Sequence, residues 1–125
     1  MDYSGRFESK TVVLIEDEPA HAMLYTHHLI TAGFKVSHVL STEDMLQKIE
    51  ALKHVALIIV SLELDTESDT DWCRVIRNSF PDIPMMMTTT VDNKCMTQCC
   101  IVDACLIKPF SLTTFVKSVQ EVTAG

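Results

Sequence analysis

No stretch of this 125-residue chain approaches the length of a membrane span. Its opening, residues 1–10, is polar and lacks the apolar core of a secretory signal. A basic excess is missing too. Ten Lys and Arg stand against 17 Asp and Glu, a formal net charge of −7. A phosphate backbone needs a basic surface, so nucleic-acid binding by this domain alone is disfavoured. Together these absences lead to the expectation of a cytoplasmic protein that engages neither membrane nor nucleic acid. The five cysteines, Cys73, Cys95, Cys99, Cys100 and Cys105, include no CxxC pair, and no histidine lies near them in sequence. An odd count argues against a disulfide framework. They are expected to serve as small buried hydrophobes. Cys95 and Cys99 could still share a helical face, with Cys100 beside them, which keeps a redox or small-ligand sensor as an alternative. The acidic stretch 63–71 lacks the glycine of an EF-hand loop and reads as solvated. No repeat, low-complexity tract or linker divides the chain. The expectation is an N-terminal arm, 1–10, and a single domain, 11–125.

An apolar fraction of 47% is enough for a core, and 22% charge is not that of a disordered chain. Residues 11–15 form a mostly apolar run bounded by charge, which fits a fully buried strand. Pro19 suits the first turn of a helix, and Ala22, Tyr25, Leu29 and Ala32 recur at helical spacing. This predicts a helix over 21–32, stopped by Gly33. Residues 34–39 alternate as a half-buried strand does. Ser41 or Thr42 would cap the next helix, whose apolar stripe is Met45, Leu46, Ile49 and Leu52. Residues 56–60 are a third strand and 62–69 an acidic loop. Residues 71–78 read as a helix with Trp72, Val75 and Ile76 inward. A turn over 80–84 leads to a fourth strand, 85–89. Its three methionines suit a core better than a ligand box. A helix over 93–102 and a strand over 105–107 follow. Ser111 then caps a last helix to about residue 122, with Leu112, Phe115, Val116 and Val119 on one face. His21, His27 and His28 read as surface positions, and His38 and His54 carry no signal.

Strand and helix alternate five times. That order implies α/β architecture: a five-stranded parallel sheet, doubly wound, with helices on both faces. In such sheets, sites form beyond the carboxyl ends of the strands where the strand order reverses. Glu16-Asp17, Ser61, Thr89 and Lys108 each end a separate predicted strand, so they should converge.

These pieces, taken in order, resemble the response-regulator receiver domain of two-component (phosphorelay) signalling. They are Val12-Val13-Leu14-Ile15-Glu16-Asp17-Glu18-Pro19, Ile83-Pro84-Met85-Met86-Met87-Thr88-Thr89 and Lys108-Pro109-Phe110, with Ile76-Arg77 at the usual distance after the acceptor position. The resemblance covers about 11–122 and implies the flavodoxin-like (β/α)5 fold. It also implies that Glu16 and Asp17 are the acidic pair that holds a magnesium ion, Asp17 more directly, with the backbone carbonyl of Glu63 as a further ligand. Thr89 would hydrogen-bond a phosphoryl oxygen, and Lys108 would place a positive charge on the same group. A hard divalent cation takes oxygen ligands and neutralises the transferring phosphoryl group, which is why the family needs these types. Pro109 commonly follows a cis peptide in the family.

The chain departs from the pattern at its centre. Ser61 stands where the family has its acceptor aspartate. Asp65 replaces a common proline, Asp69 a common glycine, Thr90 a small residue, and Cys105 the aromatic residue whose rotation usually accompanies activation. With one carboxylate gone, magnesium binding is expected to be weak. Three readings of Ser61 stand: an inert replacement, which is favoured; a phosphorylated serine; or a slipped alignment in which Asp65 is the acceptor. The resulting expectation is a pseudo-receiver, a non-enzymatic module acting by protein–protein contact. Its partner or a second copy would dock through the fourth helix, fifth strand and fifth helix, near 93–102 and 111–122.

Overall fold

The computed structural model describes residues 10–40, 42–52, 54–61, 67–90 and 102–124. Five parallel strands, β1 (Thr11–Glu16), β2 (Lys35–Val39), β3 (Val55–Ser61), β4 (Met85–Thr89) and β5 (Ala104–Ile107), form one sheet in the order β2-β1-β3-β4-β5. The helices described are α1 (Pro19–Thr31), α2 (Thr42–Ala51), α3 (Glu67–Ser79) and α4 (Leu112–Thr123). The strand order reverses between β1 and β3, where Glu16 pairs in register with Ser61.

Period-two alternation divides the strands between two cores. Val13, Ile15, Ile58, Val60, Met85 and Met87 face α2 and α3, where Met45, Ile49, Cys73 and Ile76 meet them. Val12, Leu14, Leu57, Ile59 and Met86 face α1 and α4, against Tyr25, Leu29, Phe115 and Val119. Most of these side chains are fully buried, each contributing roughly 1.5–3 kcal/mol of transfer free energy. Both faces of the sheet are therefore covered, as near-continuous apolar strands require.

The helix ends follow local chemistry. The Glu18 carboxylate accepts from the Ala20 amide, with Pro19 at the first helical position. Gly33 takes φ 101° immediately beyond α1, the left-handed region that favours glycine. Ser111 caps α4, its hydroxyl accepting from the Thr114 amide at 3.0 Å. The Lys10 ammonium donates to the Thr123 carbonyl, tying the start of the first strand to the end of the last helix.

Two expectations about α3 need correcting. The helix begins at Glu67 rather than 71. An acidic sequence is compatible with a helix start, where the dipole favours negative charge. Val75 is 41% exposed, and the inward pair three apart is Cys73 and Ile76. Of the other predicted elements, the helix over 93–102 lies outside the described residues except for Val102, which is buried without helical structure.

Arg77 fastens the amino ends of β4 and β5. Its guanidinium donates to Asp103 Oδ2 at 2.6 Å and to the Ile83 carbonyl at 3.3 Å. The same Oδ2 accepts from the Met85 amide at 2.9 Å. Burial works upward on Asp103. The hydrogen bonds from Arg77 and Met85, with the charge of Arg77, outweigh it and hold the carboxyl below its usual range. No helix among the described residues is long and apolar enough to cross a membrane.

Candidate functional site at the carboxyl ends of the strands

Glu16 ends β1, Ser61 ends β3, and both are fully buried. Alternation turns both toward the α1–α4 side of the sheet, as it does Thr88 two residues after Met86. The Thr88 hydroxyl donates to Ser61 Oγ at 2.6 Å. Ser61 Oγ accepts that bond, so its own O–H is left to donate to the neighbouring Glu16 carboxyl. Glu16 Oε1 accepts from the Glu18 amide at 3.1 Å, while Oε2 is buried without a hydrogen-bond partner.

Burial pushes the Glu16 carboxyl upward. Ser61, the Glu18 amide and the charge of Lys108 pull it down, and Asp17 adds a smaller upward push; burial prevails. The sign of its effect on stability follows. A folded-state value above the unfolded one, near 4.5, favours the fold below pH 4.5 and loses that contribution as pH rises through the folded value. Glu16→Gln, which cannot ionise, is therefore expected to gain stability relative to the parent as pH rises from 4.5 to 8. Urea melts at several pH values check this. A gap that stays constant or closes with rising pH would contradict the burial argument.

Lys108 approaches from the end of β5. Its amide donates to the Thr89 carbonyl at 2.7 Å, and the peptide to Pro109 is cis, as the resemblance implied. Thr89 is also buried, but it follows Thr88 by one residue and so lies on the opposite face of the sheet. The residue that reaches Ser61 is Thr88. The phase of alternation from Met86 carried that signal. Asp17 sits just past β1, half-buried, and Thr90 is exposed. Glu63 and Asp65 lie outside the described residues.

Two histidines take part where the sequence gave no reason to expect it. His38 Nε2 lies 2.8 Å from the Glu16 carbonyl oxygen, which can only accept. The Nε2–H tautomer therefore makes this bond, which pins the end of β1 to β2. His21 is half-buried rather than simply on the surface, with Nδ1 3.7 Å from Glu16 Oε1.

The cysteines also divide. Cys73 is buried and not disulfide-bonded, as a small hydrophobe should be. Cys105 on β5 is disulfide-bonded, contrary to the expectation from the odd count.

A magnesium site would need several oxygen ligands. Glu16 and Asp17 supply two carboxylates, and the Ser61 hydroxyl is held by Thr88. Among the described residues no group of three or more His, Cys, Asp or Glu is placed to hold a metal ion. The described residues do not amount to a cation site.

Comparison with known proteins supplies the wider frame. A family model described as response regulator receiver domain matches residues 12–120. No curated protein matches the sequence. Solved structures similar to this one include the chemotaxis protein CheY4 of Vibrio cholerae, with 21% identity, TM-score 0.79, and 91% of this chain and 98% of that chain covered. A response regulator from Thermotoga maritima has 19% identity, TM-score 0.82 and coverage of 94% and 99%. The response regulator TrrA of the same organism, solved in complex with Mg(2+)-BeF, has 19% identity, TM-score 0.77 and coverage of 90% and 98%.

Proposed function

We propose, from the premise that this chain belongs to the response regulator receiver domain family of two-component signalling, that it is a pseudo-receiver: it takes no phosphate at Ser61 and signals through protein contacts. One observation carries this reading. Where family members carry an acceptor carboxylate, this chain has a fully buried hydroxyl already accepting a 2.6 Å hydrogen bond from Thr88. An aspartate acceptor is anionic and needs no base. A serine must lose its proton as it attacks, and the adjacent Glu16 is a carboxyl that burial biases toward its protonated form. The cation that loads phosphate in the family would also find one carboxylate fewer here.

In this reading Glu16, Asp17 and Lys108 are inherited pocket residues that no longer serve phosphoryl transfer, and the module is not an enzyme. It acts in the cytoplasm, binding neither membrane nor nucleic acid. Its contact surface is the edge of the sheet at β5 together with α4, available to a signalling partner or a second copy.

Incubation with acetyl phosphate and magnesium, followed by intact mass, tests the proposal. The expected result is no phosphoryl gain. A gain that disappears in Asp65→Ala would move the acceptor to Asp65 and overturn it, and a gain that disappears in Ser61→Ala would overturn it directly.

The Cys105 disulfide favours a second reading, a thiol switch on the same surface. Two thiols would lose two protons and two electrons to a disulfide oxidant such as oxidised glutathione, cross-linking β5 where the family keeps its aromatic switch. Disulfides that form in reducing compartments are usually redox-active. The same intact-mass measurement after alkylation, with and without reductant, separates this from an inert bridge. An unchanged thiol count across ordinary glutathione ratios would remove the switch.

A further inference from the structure

Helix α1 carries no Asp, Glu, Lys or Arg over its 13 residues, whereas α2, α3 and α4 each carry charges of both signs. It is also apolar on both of its sides. Ala22, Tyr25 and Leu29 are buried toward the sheet. On the other side Ala20, Met23, Leu24, His27, Ile30 and Thr31 are all exposed. Steps of three and four place these side chains on one stripe, the spacing of a seam between two helices. Met23 is 74% and Ile30 57% exposed. With Leu24 they are three of the six large apolar side chains that are exposed among the described residues. A helix apolar all round is ordinarily covered all round, so the outward stripe marks an interaction surface.

Charge decides what covers it. Two copies of a chain of net charge −7 repel wherever acidic surfaces meet. The α1 stripe set against the same stripe of a second copy brings no carboxylates together along its length. The ends are complementary as well. Acidic Glu18 caps the amino end, and exposed Lys35 lies just beyond the carboxyl end. A twofold axis across the helix runs the two copies antiparallel. That sets the Glu18 end of each beside the Lys35 end of the other, with the helix dipoles opposed favourably. Sizes match in the same arrangement. Pairing about Tyr25, the middle of the stripe, puts Ile30 over the second copy's small Ala20. It puts Met23 over the second copy's His27, a thioether against a ring.

We propose that α1 is a homodimer seam: a second copy of this chain docks antiparallel on its uncharged outward face, through Met23, His27 and Ile30. The inference does not depend on whether Ser61 takes phosphate, and it leaves the β5 edge to a signalling partner. A 13-residue helix is about 20 Å long. A seam of that length is smaller than the roughly 1,200 Å2 of a stable complex, so the dimer is weak, with Kd on the order of 100 µM.

Sedimentation equilibrium over a range from about 10 µM to about 1 mM, which brackets that Kd, tests the proposal. The average mass is expected to rise reversibly from 14.0 kDa toward twice that value. Ile30→Glu and Met23→Glu each put a carboxylate into both halves of the seam and should weaken association at least about tenfold. Both positions are exposed, so the urea midpoints should stay close to the parent's. Ile107→Glu, at an exposed position on β5, should leave association unchanged. Ala20→Lys combined with Ile30→Glu pairs opposite charges across the axis and should restore association to near the parent's. A mass of one chain at every concentration would give the face to a partner of another sequence and overturn the proposal. Association that survives Ile30→Glu and Met23→Glu, or that Ile107→Glu abolishes, would overturn it by placing the interface elsewhere. Failure of the paired charges to restore association would overturn the antiparallel seam.

Discussion

Ser61→Asp is expected to cost about 3–5 kcal/mol of stability in metal-free solution, the usual penalty of an uncompensated buried charge, and to regain much of it when magnesium is added. Ser61 is fully buried and in register with Glu16, whose Oε2 already lacks a partner. A carboxylate at that position meets a second carboxyl in a low-dielectric site, with the Thr88 hydroxyl as donor and Lys108 as the charge that acts on Glu16. Desolvation and like-charge repulsion both oppose the change. A divalent cation removes the repulsion by taking oxygens from Glu16, Asp17 and the new aspartate. Mass action then returns about 2.7 kcal/mol once its concentration reaches a hundred times Kd. Urea melts with and without magnesium measure both halves. A variant as stable as its parent without metal, or one indifferent to metal, would show that the site relaxes around the charge and that the pocket no longer assembles as a cation site.

Phe115→Ala should be comparably damaging for a different reason. Phe115 is fully buried, with its ring centroid 4.7 Å from that of Tyr25 and 5.8 Å from that of Phe110, in the core beneath α1 and α4. Removing a buried phenyl ring costs about 3–5 kcal/mol through lost transfer free energy and the cavity left behind. Domains of this size are stable by only about 5–15 kcal/mol. The loss should therefore show as a large drop in the urea midpoint, with Phe115→Leu falling in between. A loss under about 1 kcal/mol would mean that α4 does not dock as described.

Much of this architecture could be read from residues alone, because the strands are short apolar runs with charge or turns at each end. Thr11 to Ile15 and Met85 to Thr89 are examples, and both are strands in the sheet. Gly33 and Ser111 marked helix ends through chemistry that acts locally, and both do so here. What escaped depends on the direction of a side chain rather than its type. Thr88 and Thr89 are identical in composition. Only the phase of the strand tells that Thr88 is the one that meets Ser61. Val75 misled for the same reason, since the hundred-degree step of a helix puts Cys73 and Ile76 inward and Val75 out. His38 and His21 gave no local signal at all. Their contacts with Glu16 come from the neighbouring strand and helix, which only the fold brings together.

The Arg77–Asp103 fastening at the amino ends of β4 and β5 has a mechanical consequence. One guanidinium and one carboxylate bridge the tail of α3, the entry to β4 and the approach to β5, so the two strands are clamped together at that edge. At the opposite edge, the neutral pair Thr88–Ser61 joins β4 to β3, and a backbone bond to Lys108 joins β4 to β5. Strand β4 is thus tied across at both of its ends, by a charged clamp where it enters the sheet and by neutral hydroxyl and backbone bonds where it leaves.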